Sequence, residues 1–285
     1  MVSSYVYINY SIRVLCSVIV LLLNPITLRR GIQANAKNAE ISMLLFHLCV
    51  KTALALLTLV YSICSVVEFE QSGEHALLVF WTTLLHQALL PAVTFSDLFV
   101  TLDRTIAISF PLPYAGVKKK LVICAAFTCL AIFGIIVIIY LAFRIDNLGG
   151  SLSWKDSVDP VVAAIVLNFT FGIMIPLIFI SVVFLAKYRR YRKRLAFQTT
   201  SGKSLKLINN VVFQQVIISI VVWICPTLVK LFFEYGLHLS INGYIRAEPT
   251  VTLILIYIAL CSIMYWKKLV RGQNIVVSNP QNVPS

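Results

Sequence analysis

Two adjacent charges near the middle of this chain are the first candidates for a functional site. Asp103 and Arg104 lie in the segment Ser96–Lys120, where an apolar stretch passes into a basic one. An acid beside an arginine at a helix end can act as a switch, because the acid restrains the arginine until the helices separate. The alternative is an ordinary ion pair where a helix leaves a membrane, and exposed pairs stabilise proteins by only ~0–1 kcal/mol.

Lys51 and Asp97 are the two charges that lie deepest within apolar segments. A charge at such a depth is costly, so it normally faces the interior of a bundle and has a partner there. Asp97 lies roughly 9 Å above Asp103 along a helix, so we expect Lys51 and Asp97 to pair between the second and third helices. The alternative is that Lys51 reaches a water pocket alone. Arg13 and Lys230 lie near outer helix ends and should extend to the headgroups.

Catalytic and metal-binding patterns are not evident in the sequence. The four histidines lie far apart, at His47, His75, His86 and His238. None is spaced from serine, cysteine or acidic residues as a nucleophilic or metal site requires, and Asp97 is the only acid within a predicted span. We therefore expect a protein that is not an enzyme and that needs no metal or cofactor.

The elements that must position these residues follow from the composition. Hydrophobic residues make up 59% of the chain and charged residues 12%, whereas soluble domains have about 25% charged residues. About 20 apolar residues are enough to cross a bilayer as a helix. Seven such spans are predicted, at residues 5–28, 41–67, 76–102, 121–143, 161–186, 207–233 and 249–266. The fold class is therefore an all-α membrane protein, with a seven-transmembrane helix bundle over residues 1–268 and a short tail over residues 269–285.

The orientation of the bundle follows from the distribution of lysine and arginine. With the N-terminus outside, the inner segments hold 18 of the 24 basic residues and the outer loops hold only 3. Outer loops instead hold 8 of the 11 acids. Because cytoplasmic loops are enriched in positive charge, we expect an outside N-terminus and a cytoplasmic C-terminus.

The net charge of +13 does not indicate nucleic-acid binding. The basic residues lie in short segments beside the spans, where they determine topology and face anionic lipid. A nucleic-acid interface would need a basic face on a soluble domain. The lipid bilayer is therefore the expected partner of these residues.

Prolines mark places where helices should bend or end. Pro176 lies midway along the fifth span and is typical of a bulged helix, and Pro226 should kink the sixth span. Proline removes a backbone hydrogen bond and crowds the preceding turn. For the same reason, the stretch FPLPY at residues 110–114 should be an irregular loop that follows the third helix.

The stretch LDRTIAISFP at residues 102–111 lies at the inner end of the third of seven predicted spans. In this position it resembles the corresponding segment of rhodopsin-like G-protein-coupled receptors. With very short predicted tails and no cysteines in the outer loops, the chain is most similar to the nematode serpentine chemoreceptors, and to their class BC in particular. The resemblance in architecture covers the whole chain, whereas the specific motif covers only this stretch.

The resemblance implies roles for several residues. Arg104 would contact a heterotrimeric G protein when the inner face opens, and Asp103 would hold it in the resting state. His86 and Gln87 lie in the outer third of the third span, the depth at which small-molecule ligands bind in the resembled receptors. Trp223 in the sixth span is a further candidate for the ligand pocket. Such a chemoreceptor would lie in the plasma membrane, with sensory cilia as one location.

The sequence also departs from the rhodopsin-like pattern. In WICP, residues 223–226, tryptophan and proline lie one residue further apart than in the familiar motif. The seventh span lacks an Asn-Pro pair followed by tyrosine, and the outer end of the third span has no cysteine. Lys51 stands where the resembled receptors have an acid that holds sodium, so it would abolish that sodium site. The activation mechanism of those receptors therefore does not transfer as a whole.

Two other functions are compatible with the sequence. A small transporter or channel could use Lys51 and Asp97 to line a path through the bundle. A receptor-like chain that no longer signals would account for the missing motifs. Guanine-nucleotide-sensitive coupling would indicate a receptor, whereas ion or solute flux would indicate the transporter or channel.

The charge distribution gives a testable topology. An epitope inserted at Gly202, within the basic segment between the fifth and sixth spans, should bind antibody only after cells are permeabilised. An epitope inserted at Gly73, within an acidic loop, should be labelled on intact cells. The reverse accessibility would contradict both the orientation and the receptor interpretation.

Overall fold

The structure is a computed structural model that describes residues 2–38, 41–71, 76–145, 158–195, 203–233 and 249–270. Within these ranges the chain is helical apart from short links and one isolated antiparallel bridge between Arg144 and Val158. Seven helices in the described part are long and apolar enough to cross a membrane. The chain is thus an all-helical, seven-span membrane protein.

In the described ranges, eight α-helices make up the seven spans. They are α1 Val2–Asn38, α2 Ser42–Gln71, α3 Ala76–Ser109, α4 Pro111–Ala142, α5 Pro160–Leu195, α6 Lys203–Ser219, α7 Cys225–Leu231 and α8 Pro249–Tyr265. The sixth span consists of α6, a π-helical turn at Ile220–Ile224, and α7. A second π-helical turn, Trp266–Val270, follows α8 and includes the first two residues of the predicted tail. Residues 271–285 of that tail lie outside the described residues.

The link between α3 and α4 differs from the predicted irregular loop. Only Phe110 separates the two helices, and Pro111 to Tyr114 form the first turn of α4. Proline is tolerated in a first helical turn because the N–H groups there have no partner within the helix. The expectation of an FPLPY loop is therefore wrong, and Tyr114 lies within a helix instead.

The two intramembrane prolines have different surroundings. Pro226 lies in the first turn of α7, directly after the π-helical turn Ile220–Ile224. Such a turn accommodates a proline because it re-forms the backbone hydrogen bonds that the ring disrupts. Pro176 lies within α5, which is α-helical throughout. The bulge predicted at Pro176 is therefore not found.

The helix α3 lies at the centre of the bundle. It packs against α2, α4, α5 and α6. In its apolar segment 67% of the residues are buried, compared with 17% in α4. Charged residues on α3 are consequently surrounded by protein rather than by lipid.

The contact between α1 and α2 includes a glycine that permits close approach. A Cβ atom added at Gly31 would lie 2.5 Å from Cδ2 of Leu45. Gly134 in α4 is a contrasting case, because an added Cβ would meet nothing within 4 Å. Small residues commonly allow membrane helices to pack closely in this way.

Gly31→Val should therefore lower thermal stability, because overpacking a well-packed contact costs about 1–3 kcal/mol. Thermal unfolding of purified protein in detergent would measure the effect. The matched substitution Gly134→Val should leave the unfolding temperature nearly unchanged. Equal unfolding temperatures for the two variants would contradict the prediction and show that the Leu45 side chain moves aside at little cost.

Candidate functional site

Asp103, Arg104 and Tyr114 form a closed hydrogen-bonded network at the junction of α3 and α4. Arg104 donates to Asp103 Oδ2 from Nε at 2.8 Å and from Nη2 at 2.5 Å. The Tyr114 hydroxyl accepts from Arg104 Nη2 at 2.5 Å and donates to Asp103 Oδ1 at 2.9 Å. We call these three residues the inner network.

Burial distinguishes the inner network from an exposed ion pair. The side chains of Asp103 and Arg104 are each only 2% exposed, and Tyr114 is also buried. The small energies measured for exposed pairs therefore do not apply here. Breaking a buried pair by removing one partner leaves an uncompensated charge and is far more costly.

A second network surrounds Asp97 in the middle of the bundle. Four side chains approach the same carboxylate oxygen, Oδ1. Tyr257 donates its hydroxyl to this atom at 2.6 Å and Gln215 donates Nε2 at 2.8 Å. His47 Nε2 lies 3.2 Å and Lys51 Nζ 3.4 Å from it. We call these five residues the Asp97 cluster.

Further hydrogen bonds connect the members of the Asp97 cluster to each other. Lys51 Nζ donates to the Tyr257 hydroxyl at 2.9 Å. Gln215 Nε2 lies 3.1 Å from His47 Nε2, and the Tyr265 hydroxyl donates to Gln215 Oε1. The cluster thus joins α2, α3, α6 and α8 through side chains alone. Lys51 and Asp97, the pair expected from the sequence, are two of its five members.

The half of the bundle opposite the junction of α3 and α4, which is the outer half in the predicted orientation, contains a third group of polar side chains. His86 of α3 is fully buried and stacks on Tyr61 of α2, with ring centroids 5.2 Å apart. The hydroxyl groups of Tyr61 and Tyr10 lie 3.4 Å apart. Arg13 lies over the Tyr10 ring at 5.2 Å, and its Nε donates to Thr252 Oγ1 at 3.0 Å. We call these residues, with Asn9, the outer cluster.

Arg13 therefore does not extend to the headgroups as the sequence suggested. It is only 2% exposed and lies between α1 and α8. The Thr252 hydroxyl that accepts from Arg13 donates in turn to Asn9 Oδ1. Polar partners on neighbouring helices make the interior a better environment for this guanidinium than the sequence alone indicated.

The three predicted ligand-pocket residues have different neighbourhoods. His86 belongs to the outer cluster, whereas Trp223 is buried and stacks on Tyr257 of the Asp97 cluster, with ring centroids 5.9 Å apart. Gln87 is half-buried beside His86 in α3. Trp223 is therefore placed next to the central network, at the π-helical turn of the sixth span.

Four residues of the inner network and the Asp97 cluster were not identified as site residues from the sequence. They are His47, Tyr114, Gln215 and Tyr257. Each is a polar residue inside or beside an apolar span, which is the signal that could have revealed it. Among the described residues, no group of three or more histidine, cysteine or acidic side chains could hold a metal ion.

The family model of the serpentine type 7TM GPCR chemoreceptor Srbc matches residues 2–148, which is just over half of the chain. The matched segment extends from α1 through α4 and includes the whole inner network. No curated protein matches the chain significantly.

The Asp97 cluster predicts a specific pattern of coupled stability. Lys51→Met or Asp97→Leu alone should each lower the free energy of unfolding by about 3–5 kcal/mol, because each leaves a buried charge without its partner. The double variant should regain part of this loss, as measured by thermal unfolding of purified protein. Lys267→Met, at an exposed residue, is the control and should change little. Strictly additive losses would show that the two charges do not interact.

Proposed function

Because this chain belongs to the Srbc family of serpentine seven-transmembrane chemoreceptors, we propose that it binds a small molecule from the outer side and signals to a heterotrimeric G protein. The protein is a multi-pass protein of the plasma membrane. The observation that most supports the signalling proposal is the buried inner network, which holds Arg104 at the inner end of α3.

The inner network has the properties of a restraint that can be released. Arg104 is bound by Asp103 on its own helix and by Tyr114 on α4. Movement of α4 relative to α3 separates Tyr114 from the pair and exposes the guanidinium to the cytoplasm. A two-state bundle of this kind responds to any ligand that binds one state more tightly than the other.

The outer cluster is the proposed ligand site. Both ring nitrogens of His86, the amide nitrogen of Asn9 and the hydroxyl of Thr83 have no hydrogen-bond partner within the described part of the chain. Thr83 lies one helical turn before His86 on α3. A buried polar group without a partner is costly, so a small molecule with hydrogen-bond acceptors would gain affinity by satisfying these groups.

The Asp97 cluster is the proposed connection between the ligand site and the inner network. It holds α6 and α8 to α3 through Gln215 and Tyr257. Trp223 stacks on Tyr257, so a shift of the sixth span changes the surroundings of Asp97. Asp97 and Asp103 lie on the same helix, so a shift of α3 reaches both networks.

The transporter or channel alternative has less support. Such a protein needs its path-lining charges to face water during part of its cycle. The side chains of Lys51 and Asp97 are 0% and 3% exposed, and both are bonded to residues from other helices. These contacts favour a structural connection over a path for solutes.

Two substitutions in the inner network should change signalling in opposite directions. Arg104→Ala should abolish signalling when surface levels are matched to those of the unsubstituted protein, because it removes the proposed G-protein contact. Matching is needed because the substitution leaves Asp103 buried without its charged partner and should lower stability. Asp103→Asn should raise ligand-independent signalling, because losing ~1 kcal/mol of restraint shifts the resting equilibrium about five-fold. Surface labelling with a calcium or nucleotide-exchange readout in heterologous cells measures both effects.

Tyr114→Phe extends the same experiment to the partner on α4. It removes only the hydroxyl that bonds both charged side chains, so it should raise basal signalling as Asp103→Asn does. Tyr188→Phe is the matched control, because the described contacts of Tyr188 are with aromatic rings. Unchanged signalling in all the inner-network variants at equal surface levels would show that this junction does not control signalling and is only the end of a helix.

A further inference from the structure

A pocket of about 250 Å³ opens at the inner ends of α2, α3 and α4. Its polar lining includes Lys118 and Lys119 of α4 and Ser42 at the start of α2. The next lysine, Lys120, is exposed and does not line the pocket. Two of three consecutive lysines therefore face one concave site between helices.

The remaining acid in the pocket does not cancel this positive charge. Asp103 lines the pocket, but its carboxylate is bonded to Arg104 and to the Tyr114 hydroxyl. The Asp103–Arg104 pair is neutral as a unit, so the two lysines leave the pocket with a net positive charge. An anion is the ligand that this charge favours.

The apolar lining identifies which kind of anion fits. Met43, Val122 and Ile123 complete the wall, and Ile123 is 69% exposed on the outside of α4. The lysines directly precede the apolar segment of α4, so the pocket lies where lipid headgroups meet acyl chains. A ligand in this pocket would contact the two lysines through its charged group and the apolar residues of the wall through a hydrocarbon chain.

We propose that this pocket binds the headgroup of an anionic phospholipid of the cytoplasmic leaflet, with an acyl chain along Val122 and Ile123. Basic pockets between membrane helices on the cytoplasmic side are suited to such headgroups. A free phosphate carries the same charge but makes no use of the apolar wall. The proposal needs the basic segments to be cytoplasmic, and it is otherwise independent of G-protein coupling.

The bound lipid also touches the inner network. Tyr114 and Asp103 form part of the pocket wall, so a headgroup held by the lysines lies against the first turn of α4. Lipid binding therefore stabilises the contact between α3 and α4 in the arrangement described here. An anionic lipid should accordingly raise the thermal stability of the purified protein.

Native mass spectrometry of the detergent-purified full chain tests the proposal. Phosphatidylinositol 4,5-bisphosphate and phosphatidylserine are titrated against phosphatidylcholine, and soluble inositol trisphosphate provides the headgroup alone. We expect one saturable adduct with the anionic lipids and much weaker binding of the soluble headgroup. Lys118→Gln and Lys119→Gln should each weaken lipid binding about five-fold, the typical contribution of one lysine near a membrane surface.

Two control variants and one variant that fills the pocket separate a built site from general attraction. Lys120→Gln removes the same charge from the same helix outside the pocket, and Lys267→Gln with Lys268→Gln removes two charges elsewhere on the inner side. Both should leave the saturable adduct unchanged. Ile123→Trp keeps every charge but fills the apolar wall, so it should weaken binding as the pocket lysines do.

Three results would contradict the proposal that the pocket binds an anionic lipid. Equal losses from Lys119→Gln and Lys120→Gln would show diffuse attraction to basic residues, with no site. Equal binding of lipid and soluble headgroup would show a phosphate site that does not recognise lipid. Unchanged binding by Ile123→Trp, an exposed residue whose substitution should not disturb folding, would exclude the pocket itself.

Discussion

The Asp97 carboxylate places a negative charge where neither water nor lipid can solvate it. The cost of an isolated charge in such surroundings is so large that the protein must supply partners from several directions. It does so from α2 with Lys51 and His47, from α6 with Gln215 and from α8 with Tyr257. The rotation of α2, α6 and α8 relative to α3 is thereby specified, because each of the three must turn at least one polar side chain toward the same oxygen atom of Asp97. The second oxygen, Oδ2, has no partner among the described residues, so the donors are gathered on one side of the carboxylate.

Specific polar contacts matter more here than in a soluble bundle, because lipid removes most of the hydrophobic difference between packed and separated helices. The apolar surfaces of α4 and α5 are largely exposed. A leucine or isoleucine side chain at such a position has nearly the same free energy against lipid as against protein. The three polar networks therefore define which faces of the helices meet. Close packing at small residues such as Gly31 adds to this where no polar group is available.

The sequence predicted the seven spans because length and hydropathy suffice to detect a membrane helix. It also suggested the pair of Lys51 and Asp97, because depth along a helix can be counted and buried charges need partners. The rotation of each helix was harder to predict. The apolar segments of α4 and α8 have no polar face. The periodicity of the sequence therefore does not indicate whether the side chains of Tyr114 and Tyr257 point into the bundle or toward lipid. His47 and Gln215 are uncharged partners, and their positions could not be inferred before the neighbouring helices were placed. The position of Arg13 along α1 indicates its depth but not the polar side chain of Thr252 on α8 opposite it, which binds the guanidinium inside the bundle.

The single-residue link at Phe110 has a mechanical consequence for the relative movement of α3 and α4. The Phe110 N–H completes the last turn of α3 and its carbonyl accepts the Tyr114 N–H at 3.0 Å, so the backbone of the link is fully bonded to the two helices. Lys187 of α5 restrains the link further. Its ammonium group donates to Ser109 Oγ at 2.7 Å and lies 5.7 Å from the centre of the Phe110 ring. With about 3.8 Å between successive Cα atoms, this connection has no slack that could absorb a displacement. A displacement of either helix at this junction is therefore transmitted to the other, and relative movement of α3 and α4 is limited to rotation about Phe110. The movement proposed to release Arg104 from Tyr114 must be a rotation of this kind.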